Sequence, residues 1–390
     1  MGHESDILLS LFVVFVAAQV GAEIAQRLKM PGVVGEIAAG CLIGPSVLGW
    51  VRPEQALDVL AEIGVVLLLF SVGLETRLGD MKRVGRSALL VGVLGVAVPF
   101  ALGAVWAHGS GYEWSPSLFV AAAFVATSAG ITARVLQELG ALRREESRVI
   151  LGAAVIDDIL AMLLLGVTTA LQSDAQPQLG HLAIVLAEAI GFVVVIALVG
   201  TLVMRRSSRL LEAPINPRSP LTIVLALCLG LAFLSTRFGL AAIIGAFLAG
   251  MIASETAQRE ALEHQVQPLL ALMTPFFFVM TGTKVELTQL GDVDALLALG
   301  VVTAIAVVSK LVGGFLGALS LGRRGALIVG VGMIPRGEVG VVIASLGLGA
   351  GVFSPRVYAL IVAMSLLTAM ITPPALAALL RRPSATAPRA

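Results

Sequence analysis

Thirteen apolar stretches, each closed by charged residues, Pro or Gly, follow one another along the chain. They lie at about 6–27, 32–50, 56–75, 87–108, 116–138, 147–172, 180–204, 219–237, 240–255, 265–283, 293–320, 325–350 and 356–380. A helix needs about 20 apolar residues to cross the hydrocarbon core of a bilayer, and most of these runs reach that length. The connections are too short to hold a soluble domain. The pattern predicts an all-α polytopic membrane protein, with one transmembrane domain over residues 1–380 and a disordered tail over 381–390, rich in Pro, Ala and Ser. The stretch before the first run, Met1–Asp6, has no basic n-region, so that run is read as a retained span rather than a cleaved signal.

Composition agrees with this pattern. Of 390 residues, 58% are hydrophobic and 13% charged, against roughly 25% charged in soluble domains, which excludes an ordinary cytoplasmic enzyme. The net charge of +1 leaves no polyelectrolyte surface for nucleic acid. Cys41 and Cys228 both lie inside apolar runs and read as small core residues.

The placement of Lys and Arg sets an orientation. With the N-terminus outside and the C-terminus inside, nineteen of the 26 basic residues fall in inner loops or the tail. Four (Arg52, Arg237, Lys284 and Arg356) fall outside, and three (Arg134, Lys310 and Arg336) lie within helices. The spans starting near 87, 116 and 147 recur near 293, 325 and 356, seven helices later. An odd interval makes the two triplets cross in opposite senses, the inverted-repeat topology of many secondary transporters.

The residues that carry chemistry are the ionisable ones left in mid-span. Asp157 and Asp158 lie about ten residues into the sixth span, where each costs about 2.5–3.5 kcal/mol even on a lenient insertion scale. Neighbours on a helix point about 100° apart, so one can face a water-filled cavity while the other reaches a partner helix. Lys310 lies mid-span in the eleventh helix and needs a counter-ion, which either aspartate can supply. The fifth span carries Thr127, Ser128, Gly130, Thr132 and Arg134, whose hydroxyls offer oxygen ligands to a small hard cation. Its repeat counterpart carries Pro335, Arg336, Gly337, Glu338 and Gly340, where Pro and Gly interrupt the hydrogen-bond ladder. Two broken helices at matching positions of two repeats point to a midplane transport site, with Arg134, Arg336 and Glu338 compensating freed backbone ends or pairing with one another.

These motifs resemble those of the NapA-type bacterial sodium/proton antiporters, in the second monovalent cation/proton antiporter family. The likeness rests on ILGAAVIDD (150–158), ATSAGITARVLQELG (126–140), SKLVGGFLGAL (309–319) and PRGEVG (335–340). It extends to QRLKMPGVVGE (26–36) and LFSVGLETR (69–77), running from about residue 8 to 380. The resemblance implies Na+ (or Li+) exchange for H+ across the inner membrane by alternating access. It makes Asp158 the principal cation- and proton-binding carboxylate, pairs Asp157 with Lys310, and sets Thr127 at a helix break beside the ion. It implies a homodimer in which a core (about 87–172 and 293–380) slides against dimerisation or panel helices (about 6–75 and 180–283). It also implies electrogenic exchange of two protons per sodium, because relatives with Asn at the first aspartate are generally electroneutral. No cofactor is implied; the substrates are the two cations and the surroundings are lipid.

The chemistry of a buried carboxylate fits exchange: a site that cannot hold Na+ and its protons together couples them by competition, and a bare carboxylate is penalised in crossing an apolar barrier. Glu36, Glu75 and Glu188 read as helix-end or interfacial groups. His3, His108, His181 and His264 fall in loops or at helix ends, and no phosphate-binding or zinc motif appears. A K+/H+ antiporter of the same architecture is the nearest alternative. An intramembrane aspartyl protease is a remote one, since adjacent aspartates on one helix point apart and Lys310 goes unexplained.

Overall fold

The computed structural model describes residues 2–172, 179–200, 202, 219–284, 290–336, 338–349 and 351–381. The tail beyond Arg381 lies outside them, as does the end of the seventh expected span. Among the described residues there are fifteen α-helices and no strand. They are α1 (Gly2–Arg27), α2 (Gly32–Ile43), α3 (Gln55–Leu74), α4 (Leu78–Gly109), α5 (Trp114–Ala123), α6 (Ala129–Glu138), α7 (Glu145–Gln172) and α8 (Leu179–Val195). After these come α9 (Ser219–Arg237), α10 (Ala242–Ala253), α11 (Arg259–Thr283), α12 (Val293–Gly317), α13 (Gly322–Gly332), α14 (Glu338–Gly349) and α15 (Pro355–Arg381). Among the described residues, seven helices are long and apolar enough to cross a membrane as single pieces.

Two of the expected spans are interrupted. The fifth is split into α5 and α6 by residues 124–128, and the twelfth into α13 and α14, with residues 333–336 outside either helix. Two boundaries differ from the hydropathy reading. The second span ends at Ile43, not near 50, because Gly44 precedes Pro45 and takes an extended backbone (ψ 175°) that leaves the helix. The apolar residues after it fold back, with Leu48 N–H bonded to Leu42 C=O and Val51 N–H to Ile43 C=O. The fourth helix starts at Leu78 rather than near 87: hydropathy marks only its apolar part, Arg83–Gly109, whereas the charged turns before it are equally helical.

The helices pack in two sets. In one, α1 lies on α2, α2 and α3 on α11, and α10 between α3 and α9. In the other, α4 packs on α7, α5 and α12, and α12 on α13 and α15. The sets meet where α6 touches α2 and α3, where α7 meets α8, and where α15 meets α2. Glycine permits the closest approaches: a Cβ on Gly313 of α12 would strike the Leu94 carbonyl of α4, and one on Gly317 the backbone of Val91. That contact carries Lys310 into the second set.

Candidate functional site

The two interruptions lie against each other. Ser128 N–H donates to Pro335 C=O at 2.8 Å, and the Thr132 hydroxyl donates to the carbonyl of Gly332, the last residue of α13, at 2.7 Å. Helix ends leave backbone groups without intrahelical partners, and burial makes each of them costly unless another group satisfies it. Here the partners are charged side chains. Asp157 Oδ2 accepts from Thr127 N–H at 3.0 Å, where the positive end of α6 begins. The Arg336 guanidinium donates from Nη1 to Val125 C=O (3.1 Å) and Ala126 C=O (3.5 Å), just beyond the end of α5, and from Nη2 to Ala306 C=O of α12 (3.1 Å). The Ala126–Thr127 peptide unit is thereby held at both ends, its oxygen by Arg336 and its N–H by Asp157.

Lys310 completes the arrangement. Its Nζ stands 2.5 Å from Asp157 Oδ1, and both side chains are wholly inaccessible. Gly95 of α4 leaves room beside them, since a Cβ there would come within 3.7 Å of Nζ and 3.8 Å of Oδ1. Asp157 is thus committed on both oxygens, one to an ammonium and one to a backbone N–H.

Asp158, one residue on, faces elsewhere. It lines a narrow crevice with Ala129 of α6, Leu151, Ala154 and Val155 of α7, Leu69 of α3, and Ile243, Ile244 and Phe247 of α10. The crevice therefore runs between the two helix sets. The Thr127 and Ser128 hydroxyl oxygens, beside the α6 start, are buried and have no hydrogen-bond partner among the described residues. A carboxylate with hydroxyl and carbonyl oxygens is a ligand set for a hard monovalent cation in transit. Among the described residues no group of three or more His, Cys, Asp or Glu gathers as a metal site.

The other expected residues fall as follows. Pro335 and Arg336 lie in the second break, and Thr132 bonds across it. Arg134 is not at the crossing: it pairs with Glu138 at 2.9 Å, one turn along α6, and Glu138 Oε2 accepts from Gly32 N–H at the start of α2 (3.1 Å). Gln137 donates to the Ser71 hydroxyl of α3 at 3.2 Å. The far end of α6 is therefore stitched to the other helix set by polar contacts. Glu36 is not a helix-end contact but a buried side chain within α2, 4% exposed. The Glu338 side chain lies outside the described residues. Thr368 of α15, missed in the sequence, accepts from Arg336 N–H at 3.2 Å; a threonine in an apolar helix carries no signal that separates this from ordinary back-bonding.

Two interrupted helices crossing at a buried aspartate–lysine pair, inside an all-helical bundle, define the architecture of a secondary cation transporter. The chain superposes on the sodium proton antiporter MjNhaP1 of Methanocaldococcus jannaschii with a TM-score of 0.70, covering 96% of this chain and 98% of that one at 18% identity, a likeness of fold. The family described as sodium/hydrogen exchanger, transmembrane, matches residues 11–382, and the chain belongs to that family. It is 35% identical over 412 residues to the high-affinity Na+/H+ antiporter NhaS3 of Synechocystis sp. (95% of this chain, 89% of the relative). It is 33% identical to the Na+/H+-K+ antiporter GerN of Bacillus cereus (96% of each chain) and 32% identical to a Na+/H+ antiporter of Enterococcus hirae (93% and 95%). The protein is thus a multi-pass membrane transporter of a secondary-antiporter family and not an enzyme, which removes the aspartyl protease alternative.

Proposed function

We propose that this protein exchanges Na+ for H+ by alternating access, with the two cations competing for Asp158. The observation that carries the reading is the division of labour between the neighbouring aspartates. Asp157 is bound to Lys310 and Thr127 N–H, while Asp158 opens on the crevice between the helix sets beside the Thr127 and Ser128 hydroxyls. Sodium and a proton cannot share that carboxylate, so each leaves as the other arrives. The crevice around it is otherwise apolar, and an ionised, empty Asp158 is penalised in crossing it. Coupling follows without any dedicated gate.

The same reading makes α4–α7 and α12–α15 the moving core and α1–α3 with α8–α11 the panel. It places the N-terminus outside the bacterial inner membrane and joins two copies as a dimer. The outward stripe of Leu8, Phe12, Val16, Val20 and Ile24 on α1 offers the apolar surface for that contact. Potassium is the second reading, supported by the likeness to GerN, a Na+/H+-K+ antiporter.

The test is Asp158→Asn in proteoliposomes carrying an internal pH dye. Wild type should move protons when Na+ is added and the variant should not, while both purify as folded protein. Sodium-driven proton movement in the variant at the wild-type rate would overturn the assignment. A parallel series of Li+, K+ and Rb+ fixes the cation.

A further inference from the structure

The pairing of the two breaks is more regular than their shared location requires. In the first, the Ala126–Thr127 peptide unit gives its N–H to Asp157 of α7 and takes a donor, Arg336, on its oxygen. In the second, the Pro335–Arg336 peptide unit gives its N–H to Thr368 of α15 (3.2 Å) and takes a donor, Ser128 N–H, on its oxygen (2.8 Å). Arg336 follows Thr127 by 209 positions, and Thr368 follows Asp157 by 211. Each break thus holds one peptide plane, clamped at the N–H by a side chain from the last span of its own repeat and at the oxygen by a donor from the opposite break.

The clamps differ in charge. The first is a carboxylate. The second is a hydroxyl, fully buried, whose own proton goes to Ser365 C=O at 2.8 Å. The guanidinium of Arg336 does not stay at its own break but reaches the first, donating to the carbonyls just beyond the end of α5.

We propose that Thr368 is a positioning residue for cation binding. It touches no cargo. It fixes the plane of the Pro335–Arg336 peptide, whose oxygen holds Ser128 N–H, and so sets where the Thr127 and Ser128 hydroxyls stand relative to Asp158. It also fixes the main chain from which Arg336 reaches Val125, Ala126 and Ala306. Without an acceptor for Arg336 N–H that peptide plane is free to turn, and the first break loses its register with the second. This inference rests on the proposed site at Asp158 and adds a residue from the opposite repeat to it.

The experiment compares Thr368→Val, which keeps the shape but removes donor and acceptor, with Thr368→Ser, which keeps both, in proteoliposomes across a series of Na+ concentrations and pH values. The valine protein should show an apparent KM for Na+ raised about ten-fold, on the scale of one lost buried hydrogen bond, with Vmax changed much less and the pH profile displaced. The serine protein should stay within about two-fold of wild type, the hydrogen bond being retained. A valine protein with wild-type KM and pH profile, a loss confined to Vmax, or a serine protein as impaired as the valine one would each overturn the proposal. Should the valine protein not fold, Thr368→Ala is read in its place against the same outcomes. Wild-type liposomes that respond to no cation would instead overturn the antiport reading, so the two failures are distinguishable.

Discussion

Lys310→Gln isolates the energetics of the crossing. In the native protein the ammonium and the Asp157 carboxylate are both fully inaccessible and 2.5 Å apart; after substitution Asp157 keeps only Thr127 N–H, at 3.0 Å. Removing one partner of a buried pair costs about 3–5 kcal/mol, because the remaining charge is stranded in a poorly polarisable interior. With an unfolding entropy of about 2.1 cal/mol/K per residue, that loss lowers the melting temperature of a chain of this length by roughly 4–6 °C. Asp157→Asn should lower it comparably, by stranding Lys310 instead. The double variant Asp157→Asn/Lys310→Gln strands nothing, since two amides can bond each other and the asparagine oxygen can still accept from Thr127 N–H. It should recover at least half of the summed losses, a coupling of about 3 kcal/mol or more. Thermal unfolding of purified protein followed by size-exclusion chromatography measures all four corners of the cycle. Losses that simply add, with coupling under about 0.5 kcal/mol, would show that the pair does not hold the crossing together.

The pH dependence of stability has a contributor at the end of α3. Burial, and then the Glu263 carboxylate, pushes Glu75 above the usual carboxylate range, against the pull of Arg143 and Arg259 and a hydrogen bond from Gln137. A carboxyl group raised on folding costs nothing below its ordinary value of 4.5 and costs progressively more as pH rises through the folded value. Glu75→Gln should therefore melt with wild type near pH 4.5 and above it at about pH 8; equal melting at both would refute the assignment. At the stitched end of α6, Glu138→Ala removes the acceptor for Gly32 N–H and the partner of Arg134. On the alternating-access reading this loosens closure at that end. A Ser71→Cys reporter, in a background without Cys41 and Cys228, should then label faster with a membrane-impermeant thiol reagent; an unchanged rate would show that these contacts do not restrain the core.

Much of this was legible in the sequence because the membrane makes polar residues expensive. Asp157, Asp158 and Lys310 stand out against runs of Val, Leu and Ala, and Pro335 with its flanking glycines announces a broken helix in an otherwise uninterrupted span. The first break was visible only as Thr127, Ser128, Gly130 and Thr132 together, and gained weight from its repeat counterpart. What hydropathy conceals is continuity of backbone. It ran α2 past Gly44-Pro45 because the residues that fold back are themselves apolar, and it started α4 late because helical turns can be charged. Partners far apart in sequence were less legible still. Nothing in the local pattern sends Glu138 to the Gly32 N–H of α2, or Arg336 to the carbonyls beyond the end of α5. Thr368 is invisible until its 32-residue reach to Arg336 N–H is seen.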